Sequence, residues 1–129
     1  MRYREGTIPR TVGQLRDRIG DTILRAPRRQ FPETYDFDGT FFSMERGLEN
    51  LRERLGHAKA DQLREMLSQA KAHYEDGDNR LGGGLLKDAE MVLIDRQPWA
   101  YPKELYRWAK NPWLPELSEA DLLDKGDDD

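Results

Sequence analysis

Apolar side chains recur at three- and four-residue steps along most of this chain, which is the spacing of helices that bury one face. The first stripe consists of Val12, Leu15, Ile19 and Ile23. Thr11 precedes it and Gln14 follows three residues later, a capping-box pattern in which each side chain satisfies a backbone amide at a helix start. Pro27 disfavours helical geometry at Ala26, so the first helix is expected to end there.

Two more stripes predict a second and a third helix. Their apolar positions are Met44, Leu48, Leu51 and Leu55 for the second, and Leu63, Met66, Leu67, Ala70 and Tyr74 for the third. The second helix is predicted to begin at Thr40 or Ser43 and to end at Gly56, because glycine readily adopts the backbone conformation that ends helices. A short link at residues 57–60 then makes the pair a central αα-hairpin, with the third helix ending at Gly77.

A fourth stripe predicts a broadly apolar, central helix from about Leu81 to Ile94. Its apolar positions are Leu81, Leu85, Leu86, Ala89, Val92 and Leu93. Three consecutive glycines at residues 82–84 weaken its start, which is expected to fray or to form a loop, unless a neighbouring helix approaches closely there. The run "MVLI" at residues 91–94 also suits a short strand, but a lone strand has nothing to pair with.

The first concentration of aromatic residues is the stretch "RRQFPETYDFDGTFF" at residues 28–42. It contains Pro32, Asp36, Asp38 and Gly39, which are turn-forming residue types, so it is predicted to be a loop. Its aromatic side chains are expected to pin that loop onto the helices, since they are costly to leave in water. These aromatic residues are Phe31, Tyr35, Phe37, Phe41 and Phe42.

We call the second concentration, "RQPWAYPKELYRWAKNPWLP" at residues 96–115, the aromatic segment. It holds all three tryptophans and four of the seven prolines of the chain. Pro98 ends the fourth helix, and Pro102 suits the first turn of a short fifth helix, where the missing amide proton is not needed. A last helical turn is predicted from Ser118, a capping residue, to Leu123.

Two interpretations of the aromatic segment are open. If Trp99, Tyr101, Trp108 and Trp113 are buried, each contributes about 2–3 kcal/mol of hydrophobic stabilisation, which is a sufficient structural reason for their presence. If part of the segment is exposed, it has the composition of a binding surface, because tryptophan, tyrosine and arginine are the residues enriched at interface hot spots.

The predicted fold is all-α: a compact bundle of four main helices around the central αα-hairpin, with a short fifth helix and a C-terminal helical turn. A length of 129 residues suits one domain. The predicted division is a basic N-terminal segment at residues 1–10, a single helical domain at residues 11–123, and a disordered acidic tail at residues 124–129.

The net charge of −4 is distributed unevenly. Residues 1–29 carry eight arginines against three acids, a net charge of +5, whereas residues 116–129 carry seven acids against one lysine, a net charge of −6. These ends either neutralise each other and are solvated, or one of them faces a charged partner. The sequence pI of about 5.3 disfavours a dedicated nucleic-acid binder.

The sequence also indicates in which cellular compartment the protein is expected. There is no cysteine, which excludes disulfides, thiolate metal sites and a cysteine nucleophile. The first ten residues lack the apolar core of a signal peptide, and no stretch approaches the ~20 apolar residues of a membrane-spanning helix. We therefore expect a cytoplasmic protein that makes no membrane contact.

The sequence offers little equipment for catalysis. His57 and His73 are expected at opposite ends of the hairpin, too far apart to share a metal ion. The glycines at residues 82–84 and Lys87 do not match the phosphate-binding loop, which requires a hydroxyl residue after the lysine. We therefore predict no catalytic residues, no metal site and no cofactor, and a protein that is not an enzyme.

The favoured function is that of a small protein-binding module, either an adaptor or a stoichiometric inhibitor. Bacterial immunity proteins and antitoxins are inhibitors of this kind. The comparison rests on small size, acidic net charge, dense charge and the lack of catalytic residues, and no motif supports it. The predicted partner is another protein, with a basic surface as one option, and a homo-oligomer as another use of the same surface. The predicted binding residues are Trp99, Tyr101, Tyr106 and Trp113 as anchors, with Arg96 and Arg107 as the polar surround.

Three alternatives are kept. A weaker protein-binding candidate is the acidic group Glu75, Asp76 and Asp78. A nucleic-acid-binding adaptor would use guanidinium groups beside aromatic rings, which hold phosphates and stack on bases. Its candidate contact residues are Arg25, Arg28, Arg29, Phe31 and Tyr35. An enzyme would need a pocket that combines one of the histidines with distant carboxylates.

Overall fold

The structure is a computed structural model that describes residues 1–32 and 34–105, without the side chains of Glu5 and Lys103. Within these residues the chain is helical and contains no strand, so the predicted all-α bundle is confirmed. The α-helices are α1 (Val12–Arg25), α2 (Phe37–Asn50), α3 (Arg52–Leu55), α4 (His57–Glu75) and α5 (Asn79–Leu93). Short 3-10 turns occur at Glu5–Thr7, Ala26–Arg28 and Lys103–Leu105. The last helical turn predicted at residues 118–123 and the acidic tail lie outside the described residues.

Side chains cap the first two helices. The Thr11 hydroxyl accepts a hydrogen bond from the Gln14 amide at 3.1 Å, as predicted, although the Gln14 side chain reaches the amide of Arg10 instead of that of Thr11. The prediction that α2 begins at Thr40 or Ser43 is wrong. The Asp36 side chain caps α2 by accepting a hydrogen bond from the Gly39 amide at 2.6 Å. Residues 37–39, which were predicted to lie in a loop, therefore belong to the first turn of the helix.

The corner between α2 and α4 is tighter than predicted. A single residue, Gly56, with φ of 91°, joins α3 to α4, so the predicted link at residues 57–60 is wrong. The guanidinium of Arg52 bridges Glu49 of α2 and Asp61 of α4, each at 2.8 Å. This pairing holds the pKa of Glu49 below its ordinary value and ties the three helices together at the corner.

The core lies where α4 packs against both α5 and α2, with α1 covering α5 and α2. Among the described residues, the α4–α5 pair makes the most extensive contact between two helices. This contact is larger than the one between α2 and α4, the helices of the predicted hairpin. Tyr74 of α4 is fully buried, with its ring edge-on to Phe37 and beside Phe41. Burial raises the pKa of Tyr74 to about 12.

All three consecutive glycines lie inside α5, so the expected frayed start or loop is not formed. Gly82 faces the Tyr74 ring so closely that a Cβ atom there would lie 2.8 Å from two ring carbons. A Cβ atom on Gly84 would lie 3.3 Å from the carbonyl oxygen of Ala100. The glycines therefore allow α4 on one side, and the chain after α5 on another, to approach the helix backbone.

The N-terminal residues pack on α2. The Tyr3 ring packs at a tilt against Phe42 with ring centroids 4.7 Å apart, and buried Pro9 lies against Gly47. The amide of Asp36 donates to the carbonyl of Arg2. A backbone hydrogen bond from Arg2 holds the pKa of the Asp36 carboxyl below its ordinary value. Residues 1–10 therefore contribute contacts to the helical domain.

Replacing Gly82 with alanine should destabilise the protein by about 1–3 kcal/mol, because the new methyl group displaces a fully buried ring. Gly20→Ala is the matched control: it lies within α1, and the nearest atom to its new Cβ is a flexible carboxylate oxygen of Glu90 at 3.9 Å. That replacement should stabilise the protein by up to about 1 kcal/mol through helix propensity. Urea unfolding of both variants measures the two effects, and changes of the same sign would contradict this packing.

Candidate functional site

The chain turns sharply where α5 ends. Asp95 has a left-handed backbone, with φ of 60°, and the amide of Arg96 donates to the carbonyl of Met91 at 2.8 Å, the pattern of a Schellman motif. The ammonium of Lys59, a side chain only 5% exposed, pairs with the Asp95 carboxylate at 2.5 Å. This ion pair ties the residue with the left-handed backbone to α4 at the point where the chain leaves α5.

We call residues 96–105, which follow this turn and form the described part of the aromatic segment, the strap. Its central feature is a contact with Asp88 of α5, whose side chain is completely buried. The two carboxylate oxygens accept hydrogen bonds from three consecutive amides, those of Trp99 at 2.8 Å, Ala100 at 2.7 Å and Tyr101 at 2.8 Å. A buried charge is thereby surrounded by amide dipoles, which fix the backbone at residues 99–101.

The strap is also bound to α4. Tyr101 is 3% exposed, and its hydroxyl lies 2.9 Å from Gln69 Nε2 and 2.7 Å from His73 Nε2. Gln69 Nε2 donates a further hydrogen bond to the carbonyl of Leu105 at 2.9 Å. The strap thus bridges α4 and α5 through polar groups that are mostly buried.

Trp99 points away from these contacts. Its amide is bound by Asp88 and the preceding Pro98 is buried, yet 70% of the Trp99 surface is exposed to solvent. Arg96 is exposed on the same strap. The structure therefore holds a large aromatic side chain in water on a backbone that is fixed on both sides.

Of the other predicted anchors, Tyr101 alone lies within the described residues. Tyr101 is buried and stabilises the strap, so it is not part of the exposed surface. Tyr106, Arg107 and Trp113 lie outside the described residues, and Trp108 does too.

The candidate nucleic-acid contacts are largely engaged within the protein. Arg25 pairs with Asp21 at 2.9 Å. The Arg29 guanidinium lies 3.7 Å from the centroid of the Phe37 ring and donates to the carbonyl of Tyr74. These two guanidinium groups are therefore held by neighbouring side chains and backbone.

The aromatic members of that candidate site are also covered. Tyr35 is buried, and the Arg18 guanidinium lies 4.3 Å from its ring centroid. Phe31 is partly buried against Phe37, whereas Arg28 is exposed. Of these candidates, Arg28 and Arg29 are exposed, whereas the Tyr35 ring that would stack on a base is buried.

The two histidines lie on one helix. His57 begins α4 and is largely exposed, with Glu53 at 3.9 Å, while His73 in the last turn contacts Tyr101. Sixteen residues of helix separate them by about 24 Å. Across residues 1–32 and 34–105, no three histidine or carboxylate side chains come together in an arrangement that could hold a metal ion.

Two further surface features are polar. A groove of about 780 Å³ between the N-terminal segment and α1 is lined by both signs of charge, including Arg10, Arg18, Asp17 and Asp21. In the acidic group, Glu75 and Asp76 are exposed, and Asp78 caps α5 by accepting from the Leu81 amide. No described helix is long and apolar enough to cross a membrane.

Sequence reasoning missed the residues that position Trp99. Asp88 and Glu90 lie among the apolar positions of α5, and a carboxylate in an apolar helix face is a signal of a buried, hydrogen-bonded acid. Gln69, His73 and Lys59 carry no comparable signal, because their partners lie 28 or more residues further along the chain.

Comparisons with protein-family models, with curated proteins and with solved structures gave no match to this chain.

Asp88→Ala should destabilise the protein by about 3 kcal/mol or more, because it leaves the amides of residues 99–101 without their acceptor. Asp88→Asn should cost less, since one amide oxygen still accepts. The control is Asp17→Asn on the exposed face of α1, which should change the free energy of unfolding by less than about 0.5 kcal/mol. Equal stabilities of Asp88→Ala and Asp17→Asn in urea unfolding would contradict the role given to Asp88.

Proposed function

We propose that this chain is a small, non-enzymatic, cytoplasmic protein-binding module, acting as an adaptor or a stoichiometric inhibitor, with Trp99 as its anchor. The observation that carries the proposal is the 70% exposure of Trp99 on a strap whose backbone is bound by Asp88. A partner with a pocket for an indole ring would bury most of that surface. Burial of a large aromatic side chain at a binding surface is a frequent source of hot-spot energy.

Rigidity of the strap supports this function in a second way. A binding loop that must order on association loses conformational entropy, which lowers affinity. The strap is already ordered by Asp88, Tyr101 and the Lys59–Asp95 pair, so mainly the Trp99 side chain would lose freedom. Buried polar contacts thus hold the backbone that carries one exposed aromatic residue, which is consistent with a preformed anchor.

The polar surround would come from Arg96, which is exposed on the strap, with Tyr106, Arg107 and Trp113 as sequence-based candidates. A basic partner surface is favoured by the net charge of −4 and by the seven acids in residues 116–129. Opposite charges on two partners raise the rate of association more than they raise final affinity. An inhibitor of immunity-protein or antitoxin type would use such acids against a basic active site.

The alternatives have less support. Tyr35 is buried and the guanidinium groups of Arg25 and Arg29 are engaged, so no specific observation favours a nucleic-acid-binding adaptor. An enzyme would require a pocket around a histidine, whereas His73 is bonded to Tyr101 and His57 is largely exposed. A second copy of the chain remains a candidate partner for Trp99.

Trp99→Ala should weaken partner binding by about 2 kcal/mol, about 30-fold in affinity, because the anchor is removed. Its effect on the free energy of unfolding should be small, since the side chain is mostly exposed. The measurement is capture of cell proteins on the immobilised chain, followed by affinity measurement with the purified partner.

Leu24→Ala is the matched control, because Leu24 is an apolar residue that is 81% exposed on α1, away from the strap. It should leave the captured partner unchanged. A partner retained equally by the wild type, Trp99→Ala and Leu24→Ala would refute Trp99 as the anchor. Light scattering over a range of concentrations identifies self-association, which Trp99→Ala should abolish if the partner is a second copy.

A further inference from the structure

One face of α5 combines positive charge with apolar groups. Residues 80, 84, 87, 91 and 94 follow each other at steps of four and three, so they share one side of the helix. We call this side the outer face of α5. Arg80 is exposed there, whereas Lys87, Met91 and Ile94 are partly exposed. None of the five positions is an acid.

Trp99 stands at the edge of the outer face. Its amide is bound by Asp88, and a Cβ atom on Gly84 would lie 3.3 Å from the carbonyl oxygen of Ala100. The strap therefore crosses α5 at residues 84–88. Lys87 follows Gly84 by three residues, a spacing that brings positions on a helix surface together. The exposed indole ring thus borders a cationic side chain.

The positive charge around this edge is only partly neutralised. Arg16 Nε of α1 lies 3.9 Å from one carboxylate oxygen of Glu90, and Lys87 Nζ lies 4.0 Å from the other. Glu90 is 9% exposed, whereas nearly half of each cationic side chain is exposed. Arg80 and Arg96 are exposed, and neither pairs with a described residue. Four cations therefore face one carboxylate, a local net charge of +3.

The other acids nearby do not cancel this charge. Asp17 and Asp21 of α1 line the groove towards the N-terminal segment. The Asp95 carboxylate pairs with an ammonium group of α4, and that of Asp88 is buried against backbone amides. Glu104 lies in the 3-10 turn whose last carbonyl is bound by α4. Charges more than about 8 Å apart are largely screened at physiological salt, so the local sign governs contacts here.

We propose that the outer face of α5 and Trp99 together bind an acidic segment of a partner protein. Apolar side chains of that segment pack on Trp99 and Met91, and its carboxylates pair with Lys87 and Arg96. This names the chemistry of the partner at the proposed binding site, and it rests on the proposed function. It concerns only the contact at the anchor, where the local charge is opposite in sign to the net charge of the whole chain.

The apolar groups favour an acidic peptide over a nucleic acid. Met91 and Ile94 are partly exposed among the cations, and methionine is frequent on surfaces that bind peptides. A sugar–phosphate backbone would leave these groups without apolar partners, and the net charge of −4 opposes a long polyanion. A peptide that carries both carboxylates and apolar side chains matches both properties of the surface.

The first test uses the wild-type chain and an amphipathic peptide of about three helical turns, with leucines on one face and glutamates on the other. Matched peptides carry glutamine or lysine in place of every glutamate. The glutamate peptide should shift the NMR signals of the Trp99 indole and of the amides at residues 80–100. At low salt it should bind about tenfold more tightly than the glutamine peptide, a preference that shrinks as salt rises.

The second test reverses charge beside Trp99. The double variant Arg80→Glu, Arg96→Glu should weaken binding of the glutamate peptide about tenfold, because two attractions become repulsions. The matched control is Arg46→Glu, Arg54→Glu, which changes the net charge equally at exposed positions on α2 and α3. It should bind the peptide within about twofold of the wild type, since distant charges are screened.

Equal affinity for the glutamate and glutamine peptides, or equal weakening by the two double variants, would overturn the proposal. Tighter binding of the lysine peptide at these residues would overturn it in favour of a basic partner, and tighter binding of a single-stranded oligothymidylate in favour of a nucleic acid. Shifts at the same residues that grow with protein concentration, without peptide, would assign the surface to a second copy and overturn it as well.

The outcome is separable from that of the proposed function. If capture of a cellular partner depends on Trp99 but is unchanged by Arg80→Glu, Arg96→Glu, the proposed function stands and the acidic contact fails. If capture does not depend on Trp99 while the glutamate peptide binds as expected, the proposed anchor fails and the acidic-peptide surface is retained.

Discussion

The structure around the strap depends on one interaction, the acceptance of three consecutive backbone amides by the buried carboxylate of Asp88. A charged group without partners would be very costly in that position, and amides without partners would be costly as well. Each compensates the other. Because the contact uses backbone groups, it fixes the path of the chain at residues 99–101. The side chain of Trp99 takes no part in it.

Other features of the fold cooperate with this contact. The glycines of α5 allow the strap and α4 to approach the helix, with Gly84 beneath Ala100 and Gly82 against Tyr74. The Lys59–Asp95 pair ties the chain to α4 where the strap begins. Residues 82–84, which helix propensity alone marks as a weak helix start, are thus the place where α4, α5 and the strap meet. The close packing that glycine allows there stabilises the fold by more than the low helix propensity of glycine costs.

Much of this fold could be predicted from the sequence, because helices with one buried face leave a periodic trace. The stripes from Val12 to Ile23 and from Leu63 to Tyr74 coincide with α1 and α4, and the Thr11 cap is present. The errors occurred where one polar side chain or one glycine decides the outcome. Asp36 starts a helix in a stretch rich in turn residues, and Gly56 alone makes a corner predicted to need four residues.

The candidate site was less predictable, for a physical reason. The sequence drew attention to the aromatic segment through its composition, but exposure depends on which residues approach from elsewhere in the chain. Trp99 and Tyr101 are two residues apart, yet one is 70% exposed and the other 3% exposed. Tyr101 contacts Gln69 and His73 of α4, whereas Trp99 does not. No local sequence pattern predicts these contacts.

The most direct test of this account is acrylamide quenching of fluorescence in a chain whose other two tryptophans are replaced, Trp108→Phe and Trp113→Phe, so that Trp99 alone emits. We expect quenching close to that of a free indole in water, because most of the Trp99 surface is exposed. Weak quenching, of the kind seen for a tryptophan inside a protein core, would show that Trp99 is buried and would remove the basis for an exposed anchor.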